Sequence, residues 1–303
     1  MNESTMTLAA ADGLPLFVYH WPCASPRGIV QIAHGAAEHA ARYRWTAQQL
    51  CDAGYAVYAN DHRGHGNTAS TEDLGYFAEE DGWNKMVDDL LQLNRHIRRC
   101  HPSLPLVLLG HSMGSFLAQQ YLIEHGETID AVVLSGSTVA DGYAGLAPLL
   151  EQELAALGRR AASQVMRQVS AASMGDSVPD AKTDWDWLSR DEQQVAAYIA
   201  DPLCGFELRL GSILDMIAAM QITTDPEQLK RIRAQLPMYL FAGSSDPLNN
   251  KLQSLHLLME RYAQAGLKDI SHHFYEGGRH EMLNELNRDE VVADLLTWLR
   301  RSL

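Results

Sequence analysis

The chain has 303 residues, of which 46% are hydrophobic and 20% charged, enough to bury a large core either as one domain with an insertion or as two ordinary domains. Its formal charge of -14 excludes a broad basic surface for nucleic acid, because phosphate backbones are held mainly by Lys and Arg. No basic segment followed by an apolar stretch opens the chain and no apolar run nears the roughly 20 residues of a spanning helix, so a cytoplasmic protein is expected.

Taken in order, residues 5–10 and 16–21 flank Asp12-Gly13 and predict an antiparallel hairpin at a sheet edge. Short apolar runs at 28–33, 55–59, 105–109, 131–134 and 238–242 alternate with segments of helical period. That alternation predicts a mainly parallel sheet with helices on both faces. Between 138 and 225 the strand pattern disappears, and the segment reads as helices separated by Gly158, residues 174–179 and Asp201-Pro202. It is expected to be a helical cap inserted in a core formed by 1–137 and 226–303. Within it Leu146, Leu150, Leu154 and Leu157 fall at helical spacing, a stripe that packs on a core. Residues 270–275 predict a last strand. Asp289 is expected to cap a final helix whose Val291, Leu295, Trp298 and Leu299 share one face, with Arg300 and Arg301 at its negative end. The four cysteines, Cys23, Cys51, Cys100 and Cys204, form no CxxC pair and read as isolated reduced thiols, not as a disulfide framework or zinc site.

The strongest chemical signal is Gly110-His111-Ser112-Met113-Gly114, set between the strand at 105–109 and a helical stretch beginning at Ser115. In a G-x-S-x-G elbow the serine occupies a strained strand-to-helix turn, and the small residues on either side let neighbouring backbone come close. A serine hydroxyl is a weak nucleophile at neutral pH, so it needs a base, and the base needs a group to fix its tautomer. Asp246 lies in the loop after the strand at 238–242, and His280 in the loop after the strand at 270–275. Both loops stand at the carboxyl edge where open α/β sheets build their sites. Asp225 and Asp269 are rival acids, and His272 and His273 rival bases. These are less well placed, the histidines because a side chain inside a strand points up or down from the sheet. The oxyanion needs preorganised donors, for which the backbone N–H groups of Met113 and Ala36 are the candidates, the latter in the loop after the strand at 28–33. Asp61-His62-Arg63-Gly64-His65-Gly66 reads as a hydrogen-bonded structural loop, since a metal needs three or four convergent ligands. No phosphate-cradling glycine pattern is present, so neither cofactor nor metal is expected.

Through HGAAEHAARY (34–43), DHRGHG (61–66), GHSMG (110–114), GSSDPL (243–248) and the region 278–281, the chain resembles the monoacylglycerol lipase and lysophospholipase branch of the α/β-hydrolases. The resemblance spans most of the chain outside the cap. It implies an α/β-hydrolase fold, a mostly parallel eight-stranded sheet with helices on both faces, with Ser112, Asp246 and His280 as a triad and Ala36 and Met113 as oxyanion donors. Ala37 departs from the glycine common in the branch, and its methyl is expected to tighten the site mouth. The implied activity is cleavage of carboxylic esters, monoacylglycerol or lysophospholipid, through an acyl-enzyme on Ser112. Rival readings are a short-chain carboxylesterase, a peptidase or acyltransferase on the same triad, and a catalytically weak small-molecule receptor. The expected partners are a small ester or lipid and, through the cap, transiently a membrane surface. Trp185, Trp187 and Tyr198 are cap aromatics that either pack or line a lipid pocket.

Overall fold

The first two runs fold into β1 (Ser4–Ala9) and β2 (Pro15–Trp21), paired antiparallel, with Gly13 taking the positive φ of +87° at the turn. The other strands run parallel to one another: β3 (Gly28–Ala33), β4 (Tyr55–Asn60), β5 (Leu106–His111), β6 (Ala131–Ser135), β7 (Met238–Gly243) and β8 (Ile270–Tyr275). The spatial order is β1-β2-β4-β3-β5-β6-β7-β8, with β2 joining β4 antiparallel. This computed structural model describes residues 2–174 and 177–303. This order and pairing are those of the α/β-hydrolase fold.

The central strands are continuously apolar because helices cover both faces of the sheet. Side chains alternate between two cores. Leu106 and Leu108 of β5 join Trp83, Met86 and Leu90 of α2 (Gly82–Cys100) and Leu117 and Tyr121 of α3 (Met113–His125). Val107 and Leu109 of the same strand face Ala47 and Leu50 of α1 (Arg44–Asp52) and Leu295, Trp298 and Leu299 of α10 (Arg288–Ser302). Each fully buried large apolar side chain contributes about 1.5–3 kcal/mol. Because β4 and β5 lie on opposite sides of β3, the chain order reverses there. The loops leaving the carboxyl ends of β3 and β5 therefore border a crevice of the kind in which such sheets bind ligands.

Between β6 and β7 come α4 (Ala147–Leu157), α5 (Gln164–Met174), α6 (Glu192–Ala200), α7 (Leu210–Met220) and α8 (Pro226–Leu229). Leu150 is buried against Leu210, Ile213 and Ile217, and Leu146 and Leu154 pack partly on the same cluster. Leu157 departs from the expected stripe and is 56% exposed, since the helix ends there and Gly158 turns the chain away at φ +83°. The break expected over 174–179 includes 175 and 176, which lie outside the described residues. The last helix, α10, follows α9 (Gln253–Ala265) and β8. At its start Asn287, not Asp289, occupies the cap position, and Asp289 sits inside the first turn, where it still complements the helix dipole. No helix among the described residues is long and apolar enough to cross a membrane.

Candidate active site

Ser112 stands between β5 and α3 at φ +51°, ψ -119°, a conformation that costs an ordinary side chain and that this elbow imposes. The flanking glycines are required by contact. A Cβ on Gly110 would lie 2.3 Å from the Gly114 carbonyl oxygen, and one on Gly114 only 2.0 Å from that of Ala33. The elbow is thus wedged against the end of β3. A Cβ on Gly35 would stand 3.2 Å from Cβ of Ser112, so the loop after β3 passes directly beside the serine. Ser112 and Ala36 are partly exposed.

Asp246 and His280 leave β7 and β8 in adjoining loops, because Gly243 lets the two backbones touch: its Cβ would lie 2.0 Å from the Gly278 carbonyl oxygen. Both side chains are buried, and His280 Nδ1 meets Asp246 Oδ2 at 2.9 Å. Asp246 Oδ1 also accepts the Leu248 N–H at 2.9 Å, which fixes the carboxylate. Burial pushes the His280 pKa down, but the contacting Asp246 carboxylate, with Glu281 and Glu38 beyond it, outweighs this and holds it above the ordinary histidine range. The His280 ring lies 4.8 Å from that of His111, the residue before Ser112. Ser112 forms no hydrogen bond through its hydroxyl among the described residues. The imidazole and the carboxylate are therefore paired with each other, while the hydroxyl is not. Of the rivals, Asp225 caps α8, Asp269 precedes β8 with its backbone carbonyl accepting the Met238 N–H, and His272 and His273 lie within β8.

Met113 heads α3, where no preceding turn can accept its N–H, and Ala36 lies between Gly35 and Ala37 in the loop after β3. Neither N–H donates to another group among the described residues. A buried network that sequence patterns did not reveal holds this loop in place. Glu38 accepts from the Gly35 N–H (2.6 Å), the Tyr43 hydroxyl (2.8 Å) and Arg42 (2.7 Å), and Arg42 reaches on to both oxygens of Glu281, each at 2.6 Å. The loop after β3 is thereby tied to the residue after His280. From the insertion, Tyr198 donates its hydroxyl to the Ala37 carbonyl at 2.9 Å, and Trp187 sets its ring 5.0 Å from that of His280. Arg279 donates to the carbonyls of Asp186 and Ser189 at 2.6 and 3.0 Å, fastening the loop of His280 to the insertion. Ala37 itself takes φ +53°, the left-handed region where glycine is the unstrained choice.

Gly136, after β6, was also not singled out by its sequence context. A Cβ there would lie 2.9 Å from Cε1 of both His111 and His280, and its φ is +55°. It is the space the two imidazoles occupy. The loop 61–66 is held by structural bonds: Asp61 accepts from the N–H groups of Ala40 and Asn67, and Arg63 pairs with Asp12 and Asp89. His34 beside it donates Nδ1–H to the Gly35 carbonyl and accepts the His62 N–H on Nε2.

Residues 24–287 match the family model described as serine aminopeptidase, S33. The chain is 32% identical over 304 aligned residues to a monoacylglycerol lipase of Mycolicibacterium smegmatis, covering 98% of this chain and 97% of that one. It is 30% identical to the human monoglyceride lipase, over 96% of this chain and 89% of the relative. A thermostable carboxyl esterase from Bacillus coagulans, solved in complex with glycerol, superposes with a TM-score of 0.90 at 26% identity, covering 99% of this chain and 98% of the esterase.

Proposed function

The chain belongs to the serine aminopeptidase S33 family of hydrolases, and from that premise we propose that it hydrolyses carboxylic esters through an acyl-enzyme on Ser112, with monoacylglycerol as the substrate class. The observation that carries this reading is the buried pair of His280 and Asp246 at 2.9 Å beside an elbow whose serine is held at positive φ. In the proposed reaction Ser112 attacks the ester carbonyl while Nε2 of His280 takes its proton. Asp246 keeps Nδ1 protonated and stabilises the imidazolium. The developing oxyanion is received by the N–H groups of Ala36 and Met113. His280 then gives its proton to the departing glycerol, and water activated by the same imidazole releases the fatty acid.

Full-length similarity to lipases supports an ester over a peptide, although the family description names an aminopeptidase. We read residues 138–225 as a cap over the site, a reading supported by the Tyr198, Trp187 and Arg279 contacts. Leu149, Leu157 and Ile199 of α4 and α6 are 50%, 56% and 49% exposed, which supports transient contact of the cap with lipid aggregates. The location we propose is the cytoplasm. The test is a rate comparison among a long-chain monoacylglycerol, lysophosphatidylcholine, p-nitrophenyl acetate and an aminoacyl p-nitroanilide. Monoacylglycerol should give the highest kcat/KM; preference for the acetate makes the protein a short-chain carboxylesterase, and preference for the anilide makes it a peptidase.

A further inference from the structure

We propose that His39, Asp201 and Cys204 form a binding site for a thiophilic divalent cation of the zinc class, placed where the insertion meets the loop that carries Ala36. One ligand atom from each residue lies within 4.8 Å of the other two. Tetrahedral zinc, with bonds of about 2.0–2.3 Å, sets its ligands roughly 3.3–3.7 Å apart. The group fits such a polyhedron after shifts of about an ångström or less. Its nitrogen, oxygen and sulfur donors suit zinc or cobalt and not magnesium or calcium, which take oxygen alone.

The site is built on both sides. Asp201 Oδ1 accepts the Leu203 N–H at 2.9 Å, and the Cys204 N–H donates to the Asp201 carbonyl at 3.0 Å, so a tight turn holds carboxylate and thiol near each other. Oδ2 of Asp201 meets His39 Nε2 at 2.9 Å. His39 is buried, and its Nδ1 has no hydrogen-bond partner among the described residues, so the ring proton can reside there while Nε2 faces the cation. Asp201 and Cys204 are only partly buried, which gives a cation an entry path. The nearby Arg42 charge is matched by Glu38 and Glu281, so it does not oppose a cation.

Binding has a structural consequence. The Gly205 N–H, next to Cys204, donates to the Ala37 carbonyl at 2.9 Å, so the site and the loop after β3 are already joined. Coordination would widen the His39–Asp201 contact by about half an ångström and pull that loop from the position Ala36 needs, so a bound cation should inhibit. Only this inhibition rests on the ester-hydrolase reading; the site itself does not.

The test titrates the purified full-length chain with cobalt(II) chloride, followed by the near-ultraviolet charge-transfer band of a cobalt thiolate, and then with zinc chloride against a chromophoric chelator. One equivalent of cobalt should raise the band, and Cys204→Ser should abolish it. Zinc affinity should fall at least tenfold in Cys204→Ser and in His39→Gln, with Asp201→Asn replacing the latter if it does not fold. No band in the wild type, or zinc affinity within twofold of wild type in the folded variants, overturns the site. Saturating zinc should lower wild-type turnover at least fivefold and spare Cys204→Ser; unchanged turnover with metal bound overturns the inhibition alone.

Discussion

Gly136→Ala puts one methyl group where two imidazoles meet. The new carbon would stand 2.9 Å from Cε1 of His111 and of His280, against the about 3.5–4.0 Å of ordinary carbon contact. One ring or both must retreat by roughly 0.6–1 Å. Both rings are buried, so neither retreats freely and His280 must share the shift. Misplacing a catalytic group by about 1 Å costs roughly a hundredfold, so kcat should fall about 10- to 100-fold, with KM carrying little of the loss. Alanine at φ +55° adds about 1–2 kcal/mol of backbone strain. A chain of 303 residues changes by about 0.6 kcal/mol per degree at its midpoint, so Tm should fall by about 2–3 °C. Steady-state kinetics on p-nitrophenyl butyrate and scanning calorimetry read both quantities. A variant with kcat within twofold of wild type would refute the reasoning, because it would mean that the placement of His280 does not limit turnover.

Other perturbations follow from the same geometry. Since His280 must be neutral to accept the serine proton and its pKa is held above the ordinary range, activity should fall as pH drops through that raised value; Glu281→Gln removes one of the charges that raise it and should move the acid limb of kcat/KM to lower pH. Ala37→Gly relieves a left-handed alanine at about 1–2 kcal/mol and returns about 0.4–1 kcal/mol to the unfolded chain. Calorimetry should show a small net gain, about 1 °C in Tm. Arg42→Gln strands Glu38 and Glu281, two buried carboxylates, and should cost about 3–5 kcal/mol, measured as a lowered urea midpoint with an unchanged m-value.

What could be read from the sequence was what is encoded locally. Strand runs, the turn at Gly13, the elbow around Ser112 and the loops bearing Asp246 and His280 all depend on neighbours a few residues away, and each was legible. Asp289 lies two positions inside the helix it is expected to cap, because side-chain type alone does not decide which residue leaves the helical conformation first. Leu157 fits the helical period but lies in the last turn of α4, and only the path of the following chain exposes it. Gly136 and the Glu38, Arg42 and Glu281 network could not be seen, since their partners are brought together only by the sheet order; Arg42 and Glu281 are 239 residues apart. The same holds for His39 and Cys204. Cysteine spacing carries no information when the other ligands come from a different loop.

The most direct test of the central claim is to find the acyl group. p-Nitrophenyl butyrate turnover is quenched in acid within the first seconds, and the protein is digested and mapped by mass spectrometry. One butyryl group on the peptide containing Ser112, absent from the Ser112→Ala variant, is the predicted result. A butyryl group on any other residue, or turnover that persists in Ser112→Ala at the wild-type rate, would contradict it.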